Sequence, residues 1–161
     1  RGIVNLSREL EDKIVAERIE KAAKGSLFEY GVPINIRMEY AQSASTGGEV
    51  VLWGIFSQEG KVDYDNPVIL GGDALIDKGK SSEEVGKEAA QKLKEEISSG
   101  AAVDHYLADQ LVSFMALLPD SEILTSKISK HTETNIYVVE KFLPVGYKIE
   151  GKKIKVERKD L

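Results

Sequence analysis

His131 combines a nucleophilic side chain with a setting that favours its use. It stands in the run Lys130-His131-Thr132-Glu133-Thr134-Asn135-Ile136-Tyr137-Val138-Val139-Glu140-Lys141-Phe142, just after the strand-like Ile123-Leu124-Thr125. Apolar side chains at Ile136, Val139 and Phe142-Leu143 mark one face of a short helix that Pro144 ends. The pattern predicts His131 at a strand-to-helix turn, with Thr132 and Thr134 as N-capping hydroxyls. There the positive end of the helix dipole disfavours an imidazolium and leaves a nucleophilic lone pair. Free N–H groups at the same helix start can receive a phosphate. A neutral histidine beside a phosphate cradle is suited to attack on a nucleoside triphosphate.

A histidine at a helix start is more ordinarily a surface or capping residue, so the second block matters. Residues 104–118 read Asp104-His105-Tyr106-Leu107-Ala108-Asp109-Gln110-Leu111-Val112-Ser113-Phe114-Met115-Ala116-Leu117-Leu118. As a helix opened by Asp104, this run is expected to bury Leu107, Leu111, Phe114, Met115 and Leu118. Tyr106, Asp109 and Gln110 then share a face outside that stripe. An aromatic ring, a carboxylate and an amide on one face can hold a nucleotide by stacking and sugar hydrogen bonds. Standing alone, the block would read as a solvated polar face. His105 is expected to be a capping or surface residue.

Together the two blocks resemble the RNA 3′-terminal phosphate cyclase family. The resemblance rests on Tyr106-Leu107-Ala108-Asp109-Gln110 and Met115-Ala116-Leu117. It rests equally on His131 followed by Thr-x-Thr-Asn-Ile and on Val138-Val139-Glu140-x-Phe142-Leu143-Pro144, with the spacing between the blocks. Val15-Ala16-Glu17-Arg18 resembles a helix near the start of that family's inserted domain. The chain is similar to the C-terminal half of such an enzyme. The resemblance implies that His131 attacks the α-phosphorus of ATP through Nε2, that AMP passes to an RNA 3′-phosphate, and that the 2′-hydroxyl closes a 2′,3′-cyclic phosphate. It implies nucleotide binding by Tyr106, Leu107, Ala108, Asp109 and Gln110, with the tyrosine on adenine and the polar groups on ribose or phosphate. A divalent cation, Mg²⁺ or Mn²⁺, is expected to assist. No carboxylate pair here has metal-site spacing, and its ligands are expected mainly in the N-terminal half. That half is the expected partner, together with ATP and RNA, and this segment alone is expected to be inactive.

Two other readings compete. Non-catalytic relatives that bind RNA and proteins in ribosome assembly lack the histidine, and His131 before Thr-x-Thr-Asn disfavours that class. An enolpyruvyl-transferase-like enzyme would share the fold, but none of its substrate-binding motifs is seen.

The 161 residues suffice for one or two small domains, and the net charge of −5 argues against a broad nucleic-acid surface. Residues 120–161 carry nine Lys/Arg against seven Asp/Glu, so the basic excess lies around His131 and the last hairpin. Lysines on that hairpin are equally explained as guards of a strand edge. Zero cysteines exclude disulfides and suit a reducing cytoplasm, the expected location. No stretch approaches the roughly 20 apolar residues of a membrane span, and no export leader is seen. Abundant Lys and Glu hint at a thermophilic source.

The elements that would carry these blocks read as an α+β chain. A strand is expected over 1–6, and a helix over 9–24, with Leu10, Ile14, Ile19 and Ala22-Ala23 inward and Gly25 as stop. Strands follow over Val32–Tyr40, Glu49–Phe56 and Val62–Leu70, the first two joined as a hairpin at Thr46-Gly47-Gly48. Trp53 is expected in the core. Gly71-Gly72 reads as a turn, since the phosphate-loop pattern is missing. Ser81 with Glu84 opens a helix over 82–98, and Ser98-Ser99-Gly100 marks a break. Strands Val145–Glu150 and Lys153–Arg158 close the chain around Gly151. The resemblance implies an enolpyruvyl-transferase/RNA-cyclase-like fold: 1–7 as a strand of the main domain, 8–99 as a small α+β insert, and 100–161 completing a βαβαββ-type repeat with strand 1–6 and helices at 104–118 and 133–143.

Overall fold

The computed structural model describes residues 1–65 and 67–159. It divides into two compact units, Arg1–Ser98 and the chain from Ser99 onward. The first holds β1 (Gly2–Ser7), α1 (Val15–Leu27), β2 (Ile36–Ala41), β3 (Gly48–Ile55), β4 (Ile69–Leu75) and α2 (Ser82–Ser98). Its sheet runs β2-β1-β3-β4, with β1 parallel to β2 and the other pairs antiparallel. Val4 and Leu6 of β1, Val50 and Leu52 of β3, and Leu70 and Ala74 of β4 alternate onto one face. There they meet Ala16, Ile19, Ala23 and Leu27 of α1, and Val85, Ala89, Ala90 and Leu93 of α2.

Several expectations are corrected in this unit. Strand 1–6 forms as β1, the second strand of the first unit's sheet, hydrogen-bonded on both edges. For the same reason β2 and β3 form no hairpin, because β1 lies between them, with Leu6 opposite both Tyr40 and Gly48. The helix expected over 9–24 breaks at Ile14, which sits at φ 55° and is 60% exposed. A 3-10 turn precedes it, and α1 proper then runs through Gly25 to Leu27. The stop falls at Gly31, at φ 61°.

The strand expected over 62–70 begins only at Ile69, and its Asn66 lies outside the described residues. Gly71-Gly72 is not a turn but the centre of β4, opposite Trp53 and Leu52. Glycine is needed there for packing: a Cβ on Gly72 would stand 2.4 Å from Leu93 N and 2.7 Å from Ala89 O of α2. Trp53 is only half-buried, beside an apolar hollow of about 310 Å³ also lined by Tyr30, Val32 and Phe56. Helix α2 starts as its sequence dictates, with Ser81 Oγ accepting from Glu84 N at 3.2 Å and Ser81 N donating to Glu84 Oε2 at 2.7 Å.

The second unit holds α3 (His105–Met115), β5 (Glu122–Leu124), α4 (Lys130–Phe142), β6 (Val145–Glu150) and β7 (Lys153–Arg158). Its three strands run β5-β7-β6, all antiparallel. Val145 of β6 and Ile154 and Val156 of β7 bury against Val112 and Met115 of α3 and Ile136 of α4. A parallel bridge joins Val103 to Thr125, and Ala102 N donates to Leu124 O at 3.0 Å. This short segment ahead of α3 thus pairs with the chain at the end of β5. Among the described residues no helix is long and apolar enough to cross a membrane.

Candidate nucleotide-binding site

Helix α4 begins earlier than its apolar period suggested, and with a different cap. Ser129 is the N-cap: its Oγ accepts from Thr132 N at 2.9 Å, and Ser129 N donates back to Thr132 Oγ1 at 3.3 Å. This is a capping box with threonine in the place usual for glutamate. Thr132 is thus the partner of the cap, and Thr134 Oγ1 donates to Lys130 O at 2.8 Å instead of capping. His131 is the second residue of the helix, and its side chain is exposed.

Helix α3 is capped by Asp104, whose Oδ1 accepts from Leu107 N at 2.8 Å. Its buried stripe is Ala108, Val112 and Met115, at steps of four and three. The stripe expected from the larger apolar residues is corrected: Leu107 is 39% exposed, Phe114 64% and Leu118 69%. Val112 and Met115 instead pack with Val145, Ile154 and Val156, and Tyr147 OH of β6 donates to Val112 O. His105 stacks on Tyr106, ring centroids 3.9 Å apart.

The rotation of α3 turns Tyr106, Asp109, Gln110, Ser113 and Phe114 toward a hollow of about 470 Å³. His131 and Asn135 of α4 close its other side. Of the residues singled out from sequence, Tyr106, Asp109, Gln110 and His131 meet there. Leu107 and Ala108 do not line it, and Ala108 is fully buried. Ser113, Phe114 and Asn135 were missed. Each continues a face already named, Ser113 and Phe114 one turn after Gln110 and Asn135 one turn after His131.

Asp109 binds the two helices together. Its Oδ1 accepts from Ser129 Oγ at 2.5 Å and from Thr132 Oγ1, and its backbone carbonyl accepts from Asn135 Nδ2 at 2.7 Å. A carboxylate at the first turn of α4 also complements the helix dipole. Among the described residues no group of three or more His, Asp or Glu side chains is gathered around a common point as a cation cage.

Two sheets, each with its own pair of helices, define a mixed α+β protein, and the hollow between α3 and α4 gives it a polar, aromatic-walled cleft of small-ligand size. The RNA 3′-terminal phosphate cyclase family model matches residues 4–149, so the likeness starts in β1 and is not confined to the stretch that carries the two motifs. The chain is 41% identical over 150 residues to the RNA 3′-terminal phosphate cyclase of Pyrococcus abyssi, covering 90% of this chain and 41% of that protein. It is 44% identical over 138 residues to that of Thermococcus onnurineus, covering 85% and 38%. With that of Methanosarcina barkeri it shares 39% over 135 residues, covering 84% and 37%. The chain belongs to the RNA 3′-terminal phosphate cyclase family. It spans about two fifths of the length of these relatives.

Proposed function

We propose that the protein carrying this chain converts an RNA 3′-terminal phosphate to a 2′,3′-cyclic phosphate at the expense of ATP, in the cytoplasm, with His131 as the nucleophile. The observation that carries this reading is the shared hollow: His131 opens onto the same space as Tyr106 and Gln110. Nε2 of His131 attacks the α-phosphorus, an N–P bond forms, and the bond to the β-phosphate oxygen breaks to release pyrophosphate. An oxygen of the RNA 3′-phosphate then displaces the imidazole and takes AMP. Attack by the neighbouring 2′-hydroxyl on the 3′-phosphorus expels AMP and closes the ring. Covalent catalysis thus divides one dehydration into three displacements, each with a competent leaving group.

Tyr106 stacks on adenine and Gln110 hydrogen-bonds the sugar or phosphates, while the Asp109 position belongs to the same binding segment. A divalent cation, Mg²⁺ or Mn²⁺, would offset phosphate charge; among the described residues no group of three or more His, Asp or Glu gathers as a cage for one. Residues outside this chain, in the N-terminal half of the family's enzymes, complete the pocket. The test is labelling of the complete protein with α-labelled ATP and a divalent ion. Wild type takes up label, and His131→Asn or His131→Ala takes up none. Label retained by either variant overturns His131 as nucleophile.

A further inference from the structure

We propose that Asp109 is a positioning residue: it clamps the first turn of α4 through Ser129 and Thr132, and so sets where the His131 ring stands. The role for His131 rests on the reading above; the clamp itself rests on hydrogen bonds alone. A hydroxyl has one proton to give. Ser129 Oγ already accepts from Thr132 N, and Thr132 Oγ1 from Ser129 N, so each hydroxyl proton needs a further acceptor. The two oxygens lie 3.1 Å apart, yet both converge on Oδ1 of Asp109. Thr132 has no exposed surface, so water is no substitute. Asn135 Nδ2 adds a third tie, one turn further on, to the Asp109 carbonyl.

Helix α3 therefore holds α4 at its cap, at its third residue and at its sixth. His131 lies between the first two ties. It is exposed, with no burial to fix its direction, and the backbone it hangs from is fixed by Asp109. Hydrogen bonds to a carboxylate are stronger than those between neutral groups, which suits a clamp. A displacement of about 1 Å at a reacting group can cost ~10²-fold in rate. If Asp109 instead served chiefly as a ribose or phosphate ligand, its loss would weaken ATP binding and leave Ser129 and Thr132 without influence.

The complete protein carries the test, with Asp109→Ala, Asp109→Asn, Thr132→Val and Thr132→Ser compared for ATP-dependent labelling. Asp109→Ala and Thr132→Val should each slow labelling at saturating ATP by about 10–100-fold, with KM for ATP unchanged. The double variant should be no slower than either single one. Thr132→Ser keeps the hydroxyl and Asp109→Asn keeps an acceptor, so both should recover much of the rate and guard against mere misfolding. A raised KM in Asp109→Ala, with Thr132→Val labelling at the wild-type rate, overturns the proposal. Amide hydrogen exchange supplies an arm independent of activity: Asp109→Ala should speed exchange at Thr132 and Glu133, whose N–H groups bind Ser129. Unchanged exchange there rejects the clamp. A wild type that takes up no label rejects the nucleophile reading while the exchange result still decides the clamp.

Discussion

Phe114 and Met115 are neighbours in sequence, and both fit one apolar stripe by their spacing, yet their environments differ widely. Met115 is 5% exposed and packs among Val112, Ala116 and the β-strands, whereas Phe114 is 64% exposed on the wall of the hollow. Met115→Ala should cost about 2–5 kcal/mol, the usual penalty of emptying a core position. Phe114→Ala should change stability by less than about 0.5 kcal/mol, as an exposed substitution does. Denaturant unfolding of the two variants separates these outcomes, and equal losses would mean that α3 buries Phe114 as well as Met115. On the proposed function, Phe114→Ala in the complete protein should still raise KM for ATP, because an exposed aromatic beside a polar cleft serves a ligand better than it serves the fold. A window of hydropathy favours the largest apolar side chains, and so points at Leu107, Phe114 and Leu118. The buried face carries the smaller Ala108 and Val112 with Met115 instead.

Elements whose signals are local were legible in the sequence, and those fixed by distant partners were not. Helix α2 starts where Ser81 and Glu84 place it, and β6 and β7 fall where alternation and Gly151 place them. The capped start of α3 was equally plain. In contrast, β1 makes a parallel pair with a strand about thirty residues away, and nothing local announces it. The role of Gly72 depends on a helix that arrives later in the chain. Gly72→Ala should destabilise the first unit by about 1–3 kcal/mol, since its Cβ meets backbone of α2, which cannot rotate aside as a side chain can. Thermal unfolding would register the loss. An unchanged midpoint would mean that α2 moves away freely. Ile14 offers the opposite case: a β-branched residue held at φ 55° and 60% exposed has strain to relieve and little packing to lose. Ile14→Gly should raise the midpoint, reflecting up to about 1–2 kcal/mol, and a lower midpoint would show that its side chain does more than its exposure suggests.

Across the whole molecule the charges are arranged so that acid should weaken it. Arg18 of α1 grips Glu83 in the first turn of α2 with two hydrogen bonds of 2.8 Å, Nε to Oε1 and a terminal nitrogen to Oε2. The guanidinium and the helix-start backbone together hold the Glu83 carboxyl down, from 4.5 to about 2. Glu84, bonded to Ser81, and Glu88, bonded to Lys80, are lowered as well. Lys92 extends the second pair toward Asp73, 4.0 Å away. A depressed carboxylate contributes stability in full above its unfolded value and loses it as pH falls toward its folded one. For Glu83 that window runs from about 4.5 down to about 2. The raised Arg18 and Lys80 would matter only at strongly alkaline pH. Thermal midpoints measured from pH 7 to pH 3 should therefore fall on the acid side. Glu83→Gln should lower the midpoint at pH 7, flatten the acid slope, and draw closer to wild type as pH falls toward 3. High salt should shrink the difference, because both partners are about half-exposed and open to screening. A variant with the full acid slope would mean that the Arg18–Glu83 contact joins α1 to α2 without favouring the charged carboxylate, and that acid acts elsewhere.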